Sequence, residues 1–472
     1  MSKAGKNGIG KNVFHLFYST ALSRGINTVV LIVLVNYLNA ENYGMFSVAL
    51  AFAMVMGYFT DAGLSNTVLR EGSKQNADVA AIVVSYIKLR AILLVATFLA
   101  SYAIIHFSYD QPQLKGIMLS LVIPMVAGLA LQSIGVTYFQ LKEKMEYLGY
   151  IRICSSLVLV IFIPIGMLLS LHVLMIAFLF GLSYLIAGFY GLYLVGRQVK
   201  LDLRTPFKKS LLKNIWSFVL SGLLIMLLPQ LGPLVLEKTI TMTEVGIFAV
   251  AYRIPSALYQ IPGVIAGAFY PVLFRHFHHG NQQEHLRLNI LQAKMMGVIG
   301  MLMTIPVFFL SDEMVSLLFG AKWAAAAEPL KIAGLILFFQ SISIAFADGL
   351  TTKNLQSRRT AVQFAVVVAA LFLYYLLSGE FAVMGAVYAA VLIEIISVLG
   401  FLAMNPDRWA IAKKAWIYIG FFAVCFYSID FLLPGNPYLA SFICFVFICL
   451  LCVLDRELRE LILSLKKRRD VF

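Results

Sequence analysis

Two arginines lie inside apolar stretches of this 472-residue sequence, and each has polar neighbours at helical spacing. Asn27 follows Arg24 at i+3, and Ser256 and Gln260 follow Arg253 at i+3 and i+7. Residues three, four or seven apart share one face of a helix. The guanidinium group stays charged and binds phosphate oxygens in pairs. The pattern predicts two cationic stripes that grip a phosphate or pyrophosphate, with Arg24, Asn27, Arg253 and Gln260 as the substrate-binding residues.

A structural explanation of these arginines stays open at this point. An arginine at the centre of a membrane costs about 2.5–3.5 kcal/mol on insertion scales, so it normally has a reason to be there. Each one could instead pair with a structural acid, such as Asp61, or extend to the membrane surface. Asp61 itself is expected to pair or cap locally.

Two acids are candidates for ion coupling, because ionisable groups at membrane depth often carry protons or cations. Glu394 lies well inside an apolar stretch, and Glu237 ends another. The alternative role for both is hydrogen bonding between helices. The sequence contains neither a nucleotide-binding phosphate loop nor a catalytic or metal-binding motif. We therefore expect no enzyme activity, no metal and no cofactor, and we expect an Na⁺ or H⁺ gradient to supply the energy.

Composition identifies the chain as a membrane protein. It is 61% hydrophobic and 13% charged, whereas soluble domains are about 45–50% apolar and 25% charged. A membrane helix needs about 20 apolar residues. The sequence then predicts an all-α integral membrane protein with about fourteen spans, at 13–38, 44–64, 82–107, 116–140, 147–170, 172–195, 215–235, 246–274, 289–310, 324–347, 360–377, 382–404, 410–433 and 437–454.

The distribution of positive charge predicts the orientation. With alternating spans, 31 of the 37 lysines and arginines fall in segments on the side of the N-terminus, and only 4 fall on the other side. Basic residues favour the cytoplasmic side, so both termini are predicted to be cytoplasmic. The net charge of +14 is then mainly an orientation signal. Nucleic acid is not an expected partner.

An internal repeat predicts the domain organisation. Shifted by 202 residues, segment 40–49 aligns with 242–251 as Gly-x-Phe-x-Val-Ala in the same orientation, although chance similarity of two apolar helices is an alternative. Two parallel six-helix bundles around a central cavity suit alternating access. The predicted parts are an N-terminal bundle at 1–195, a cytoplasmic linker at 196–214, a C-terminal bundle at 215–404, two further helices at 405–454 and a basic cytoplasmic tail at 455–472.

Several short motifs are characteristic in their spacing: Leu38-x5-Gly44, Asp61-x-Gly63-Leu64, Leu69-Arg70-Glu71, Glu244-Val245-Gly246-Ile247-Phe248-x3-Tyr252-Arg253 and Val315-x2-Leu318-Phe319-Gly320. They resemble motifs of the bacterial polysaccharide and O-antigen flippases of the multidrug/oligosaccharidyl-lipid/polysaccharide exporter superfamily. Two positions depart from that family, which usually has glycine in place of Asn39 and tyrosine in place of Phe248.

The resemblance implies transfer of an undecaprenyl-diphosphate-linked oligosaccharide across the bacterial inner membrane for O-antigen, lipopolysaccharide or exopolysaccharide synthesis. It also implies a cationic cavity, with membrane lipids, a polymerase and glycosyltransferases as partners. Two alternatives remain. A cation-coupled multidrug exporter needs an acidic cavity, which the arginines do not favour. A polysaccharide polymerase or ligase usually needs a large outer loop, which the predicted spans do not leave room for.

Overall fold

The structure is a computed structural model of the full chain. It describes residues 3–74, 77–199, 202, 204–212 and 215–460, and it leaves the side chains of 3–17, 215–218 and 221 undescribed. All the helices and 3₁₀ turns of these residues fall into two compact units. One unit comprises Met1–Glu237 and Thr241–Gly246, and the other comprises Lys238–Ile240 and Ile247–Phe472.

The first unit is built from long apolar helices joined by short turns. Its largest buried side chains include Tyr43, Phe46 and Phe180, and the Phe46 and Phe180 rings meet edge to face at 5.3 Å. Its helices are α1 (Lys3–Tyr37), α2 (Ala40–Phe59), α3 (Leu64–Gly72), α4 (Val79–Ser108), α5 (Pro112–Leu141), α6 (Met145–Leu168), α7 (Val173–Gly196), α8 (Ile215–Leu227) and α9 (Leu231–Leu236).

Capping residues set where several of these helices begin. The Asn39 side chain accepts a hydrogen bond from the Asn42 N–H at 2.8 Å, and so caps α2. Asp78 caps α4 in the same way, accepting from the Ala81 N–H at 3.1 Å. Asn39, at a position where the similar flippases usually have glycine, therefore accepts a hydrogen bond from an N–H that has no partner within the helix.

The second unit is also helical. Buried aromatic residues hold its helices together, and the Phe338 and Phe422 rings stack with their centres 3.9 Å apart. Its helices are α10 (Met242–Leu258), whose first turn belongs to the first unit, α11 (Gln260–His278), α12 (Gln282–Phe309), α13 (Ser311–Phe319), α14 (Ala327–Ala333), α15 (Leu335–Thr352), α16 (Gln356–Met404), α17 (Arg408–Leu432) and α18 (Pro437–Leu454).

The described residues contain twelve stretches long and apolar enough to span a membrane, whereas the sequence predicts about fourteen spans. The difference arises in two places. In the segment predicted at 215–235, the described side chains form the shorter apolar helix Gly222–Leu236, which includes a 3₁₀ turn at Leu228–Gln230. The spans predicted at 360–377 and 382–404 merge into α16.

Helix α16 has 49 residues and is too long for a single crossing. At 1.5 Å per residue it extends about 73 Å, against a hydrocarbon thickness of about 30 Å. Ala382 interrupts it with φ 49° and ψ −128°. The break coincides with the predicted boundary between the two spans, and the count of fourteen remains a prediction.

The predicted division into domains also remains a prediction. The segment Ile215–Leu236, which the repeat assigns to the second bundle, packs on α2 in the first unit. There the Tyr58 hydroxyl donates to the Val219 carbonyl at 2.7 Å. Of the predicted basic tail, residues 461–472 lie outside the described part of the chain.

Candidate functional site

Two arginines come together where α1 packs on α6. The Arg152 guanidinium Nη1 donates to the Thr20 hydroxyl at 2.6 Å. Thr20 precedes Arg24 by one helical turn, and the two guanidinium groups lie within electrostatic range of each other. Arg24 is exposed and Arg152 is half-buried. The first unit therefore presents two like charges on adjacent helices.

Hydroxyl groups fix the contact between the two helices beside the arginines. The Ser23 and Ser156 hydroxyls lie 2.6 Å apart, and the Ser23 hydroxyl donates to the Arg152 carbonyl at 3.3 Å. Asn27 follows on the same helix as Arg24. Its Oδ1 is buried without a hydrogen-bond partner among the described residues. The α1–α6 site, defined as Thr20, Arg24, Asn27 and Arg152, thus combines two cations with a hydroxyl and an amide.

Asp61 belongs to a separate buried network. The Arg90 guanidinium donates to the Asp61 carboxylate at 2.7 Å and to the Thr60 hydroxyl at 2.8 Å. The Tyr86 hydroxyl donates to the same carboxylate at 3.1 Å, and the Ser65 hydroxyl also bonds to it. Arg90 is only 3% exposed. Asp61 therefore binds locally, and its ion-pair partner is an arginine of α4.

In the second unit, Arg253 is half-buried on α10. The Ser256 hydroxyl donates to the Arg253 carbonyl at 2.8 Å, within the same helix. Gln260 begins α11 directly after Tyr259, whose backbone stays helical with φ −47° and ψ −23°. Pro262 lacks an N–H and cannot donate to the preceding turn. Arg253 and Gln260 consequently lie on either side of the boundary between α10 and α11, within the single apolar stretch Met242–His278.

Glu394 lies in the second half of α16, where it is half-buried. Its Oε1 accepts a hydrogen bond from the Gln340 amide at 3.3 Å. Two tyrosines, Tyr252 and Tyr374, lie within electrostatic range of the carboxylate. Ser397 donates within its own helix, to the Ile393 carbonyl at 2.9 Å. The Glu394 carboxylate therefore lies near two tyrosines and accepts one hydrogen bond from an amide.

Glu237 is the residue that ends α9. It is close enough to Tyr109, in the turn between α4 and α5, for the two side chains to interact electrostatically. Burial of Tyr109 raises the pKa of its hydroxyl, and the negative charge of Glu237 raises this pKa further. Glu237 thus lies at the end of a helix rather than within a continuous one.

Sequence reasoning missed Arg152, which the charge pattern counts only among the 31 basic residues on the side of the N-terminus. A local signal was available. Ser155 and Ser156 follow Arg152 at i+3 and i+4 inside the apolar stretch 147–170, the same kind of polar stripe that singles out Arg24. The contact with α1 joins residues 132 positions apart, so spacing alone does not reveal it.

The helices and their length identify a multi-pass membrane protein, and comparison with known proteins assigns it to a transporter fold. A family profile described as "Polysaccharide biosynthesis protein" matches residues 9–277, more than half of the chain. The chain therefore belongs to this family. No curated protein sequence matches it.

Solved structures show the same fold at low sequence identity. The lipid II flippase MurJ, in an inward closed conformation, has a TM-score of 0.70 and 15% identity, covering 95% of this chain and 99% of that chain. An inward-facing multidrug resistance MATE family transporter of the MOP superfamily has a TM-score of 0.68 and 16% identity, over 83% and 96% of the two chains. A MOP superfamily transporter from Pyrococcus furiosus has a TM-score of 0.58 and 15% identity, over 86% and 96%.

Proposed function

We propose that this protein moves an undecaprenyl-diphosphate-linked oligosaccharide from the inner to the outer leaflet of the bacterial cytoplasmic membrane by alternating access, for cell-surface polysaccharide synthesis. Both termini are cytoplasmic in this proposal. The observation that carries it is the pair of arginines in the α1–α6 site. Membership of the polysaccharide biosynthesis family supports the same substrate class.

The chemistry of the head group explains why such a site is useful. A diphosphate loses its hydration when it enters a membrane, at a large cost unless charged partners replace the water. Two guanidinium groups offer planar pairs of donors to phosphate oxygens. Arg24 and Arg152 also repel each other, so an anion held between them relieves an unfavourable charge contact. Asn27 supplies an amide for a neighbouring phosphate or sugar group.

Arg253 and Gln260 are proposed as further contacts to the substrate, and Glu394 and Glu237 are proposed to couple transport to an H⁺ or Na⁺ gradient. Glu394 is the stronger coupling candidate. Its carboxylate is half-buried in the second unit and has the Gln340 amide as a donor. Protonation or cation binding there changes the charge at membrane depth, which can bias a conformational equilibrium.

The test of the proposed substrate uses single alanine and lysine substitutions at Arg24 and Arg152 in a strain that lacks the gene. Loss of a charge-assisted contact of ~1.5–3 kcal/mol is expected to reduce export about tenfold or more. Lipid-linked glycan should then accumulate in the inner leaflet while the protein still reaches the membrane. Lysine keeps the charge but not the paired donors, so it should restore only part of the activity.

Arg197→Ala is the matched control. Arg197 is an exposed arginine of the first unit that follows α7 and lies over the Tyr193 ring. It should export normally. Full export by both alanine variants and by the double variant would refute the role of the α1–α6 site. Accumulation of unpolymerised glycan in the outer leaflet would indicate a polymerase instead.

A further inference from the structure

A large groove runs along α17 within the second unit. Its volume is about 1030 Å³, at the upper end of the roughly 300–1,000 Å³ typical of pockets for small ligands. Helices α12, α13, α14, α15 and α16 form the opposite wall. The groove lies near Ser311 and Asp430, at the helix ends that the charge pattern predicts to be external.

The floor of the groove is aromatic. Phe339, Phe422 and Phe426 line it, and the Phe422 and Phe426 rings lie 4.6 Å apart. The open side is bordered by exposed α17 residues, among them Val424 at 66% and Tyr427 at 77% exposure. Such an apolar surface, open along the side of a helix long and apolar enough to span a membrane, suits a hydrocarbon chain.

The rim of the groove carries charges of both signs. The Lys331 ammonium bonds to both oxygens of the Asp430 carboxylate, at 2.7 and 2.9 Å. It also lies 4.8 Å from the centre of the Phe308 ring. Two more carboxylates, Asp312 and Glu328, line the same rim, and both residues are exposed. Three negative charges and one positive charge therefore surround an apolar groove.

We infer that this groove holds one membrane phospholipid whose head group combines a phosphate with a primary ammonium. The acyl chain lies on the phenylalanines, and Lys331, whose ammonium has three N–H donors, keeps its pair with Asp430 and donates a remaining N–H to the phosphate. The ammonium lies between the carboxylates of Asp312 and Glu328. An anionic lipid without an ammonium would be repelled by three carboxylates and attracted by one lysine. It would also give Asp312 and Glu328 no cation to bind.

This inference does not depend on the transported substrate. It concerns a lipid that stays bound, at a site formed by the second unit alone. A single ion pair at a partly exposed position contributes little to affinity. Two ammonium–carboxylate contacts together with the lysine–phosphate contact are expected to give about a tenfold preference over a lipid of the same chains without the ammonium.

The experiment measures lipids retained by the full-length protein. The protein is purified in detergent, supplied with phosphatidylethanolamine or phosphatidylglycerol of identical acyl chains, and examined by native mass spectrometry. One phosphatidylethanolamine is expected to remain bound, with about tenfold preference over phosphatidylglycerol. The double variant Asp312→Asn with Glu328→Gln should lose this preference. Glu313→Gln, which changes the neighbouring acid that does not line the groove, should keep it.

A second pair of variants tests the groove itself. Ala423→Trp places a large side chain in the groove from an exposed position of α17 and should abolish retention of the lipid. Ala410→Trp, on the exposed surface of the same helix outside the groove, should not. Equal retention of the two lipids, preference for phosphatidylglycerol, or unchanged retention in Ala423→Trp would overturn the inference.

Discussion

Gly44 of α2 and Gly246 in the first turn of α10 face each other in the first unit. A Cβ on Gly44 would lie 2.0 Å from the Met242 carbonyl oxygen, and a Cβ on Gly246 would lie 2.0 Å from the Ala40 carbonyl oxygen. The two contacts are reciprocal. The same two glycines align in the 202-residue repeat, so the aligned positions of the repeat are in contact with one another. Close backbone approach of this kind is how small residues hold membrane helices together.

Alanine at either glycine should therefore destabilise the protein. The added Cβ has only backbone atoms to displace, and overpacking of this kind typically costs 1–3 kcal/mol. Thermal unfolding in detergent should show a lower melting temperature for Gly44→Ala and for Gly246→Ala. Gly25→Ala in α1 is the control, because nothing lies within 4 Å of its Cβ position. An equal melting temperature in all three variants would mean that the crossing opens at little cost.

The buried pair of Arg90 and Asp61 gives a second prediction. Removing one partner leaves an uncompensated charge in the interior, which typically costs 3–5 kcal/mol. Arg90→Ala and Asp61→Ala should each lower the melting temperature strongly, and the double variant should be less destabilised than the two effects added. Arg287→Ala breaks the more exposed pair with Glu284 and should cost less than about 1 kcal/mol. Additive losses would show that Arg90 and Asp61 act independently.

The sequence predicts the spans well because they depend on local composition. It predicts contacts between helices poorly. Arg90 reads as an interface charge, and only the fold brings it to Asp61, 29 positions away. Arg152 reaches Thr20 across 132 positions. The break at Ala382 is also hard to predict, since the close approach of Gly385 to the Leu377 carbonyl depends on particular backbone geometry.

A third prediction concerns pH and the end of α18. Burial alone would favour the neutral form of Asp455, but hydrogen bonds from Lys294 and Tyr418 outweigh it and lower the Asp455 pKa. The Lys294 ammonium lies 2.7 Å from Asp455 and 2.6 Å from Glu457. An aspartate with a lowered folded pKa stabilises the fold fully above its unfolded pKa of about 3.9. That contribution is lost only as the pH falls through the lower folded value.

Protonation of Asp455 should therefore not change the protection of α18 against hydrogen exchange between pH 7 and pH 5. Asp455→Asn should raise exchange at pH 7, because Lys294 loses one of its two charged partners. Arg456→Ala removes an exposed charge in the following turn and serves as the control. If Asp455→Asn exchanged at the wild-type rate at pH 7, the contact with Lys294 would not hold α18 in place.

The last prediction tests ion coupling at Glu394. Glutamine keeps the shape of the side chain and a carbonyl oxygen that can accept from Gln340, but it cannot bind and release a proton. In proteoliposomes with an imposed pH or Na⁺ gradient, wild-type transport should rise with the gradient, and Glu394→Gln should transport at a rate that no longer follows it. Glu380→Gln is the matched control, an exposed acid of the same helix α16, and it should respond as the wild type does. Full gradient dependence in Glu394→Gln would leave Glu394 with the role of a hydrogen-bond partner between α15 and α16.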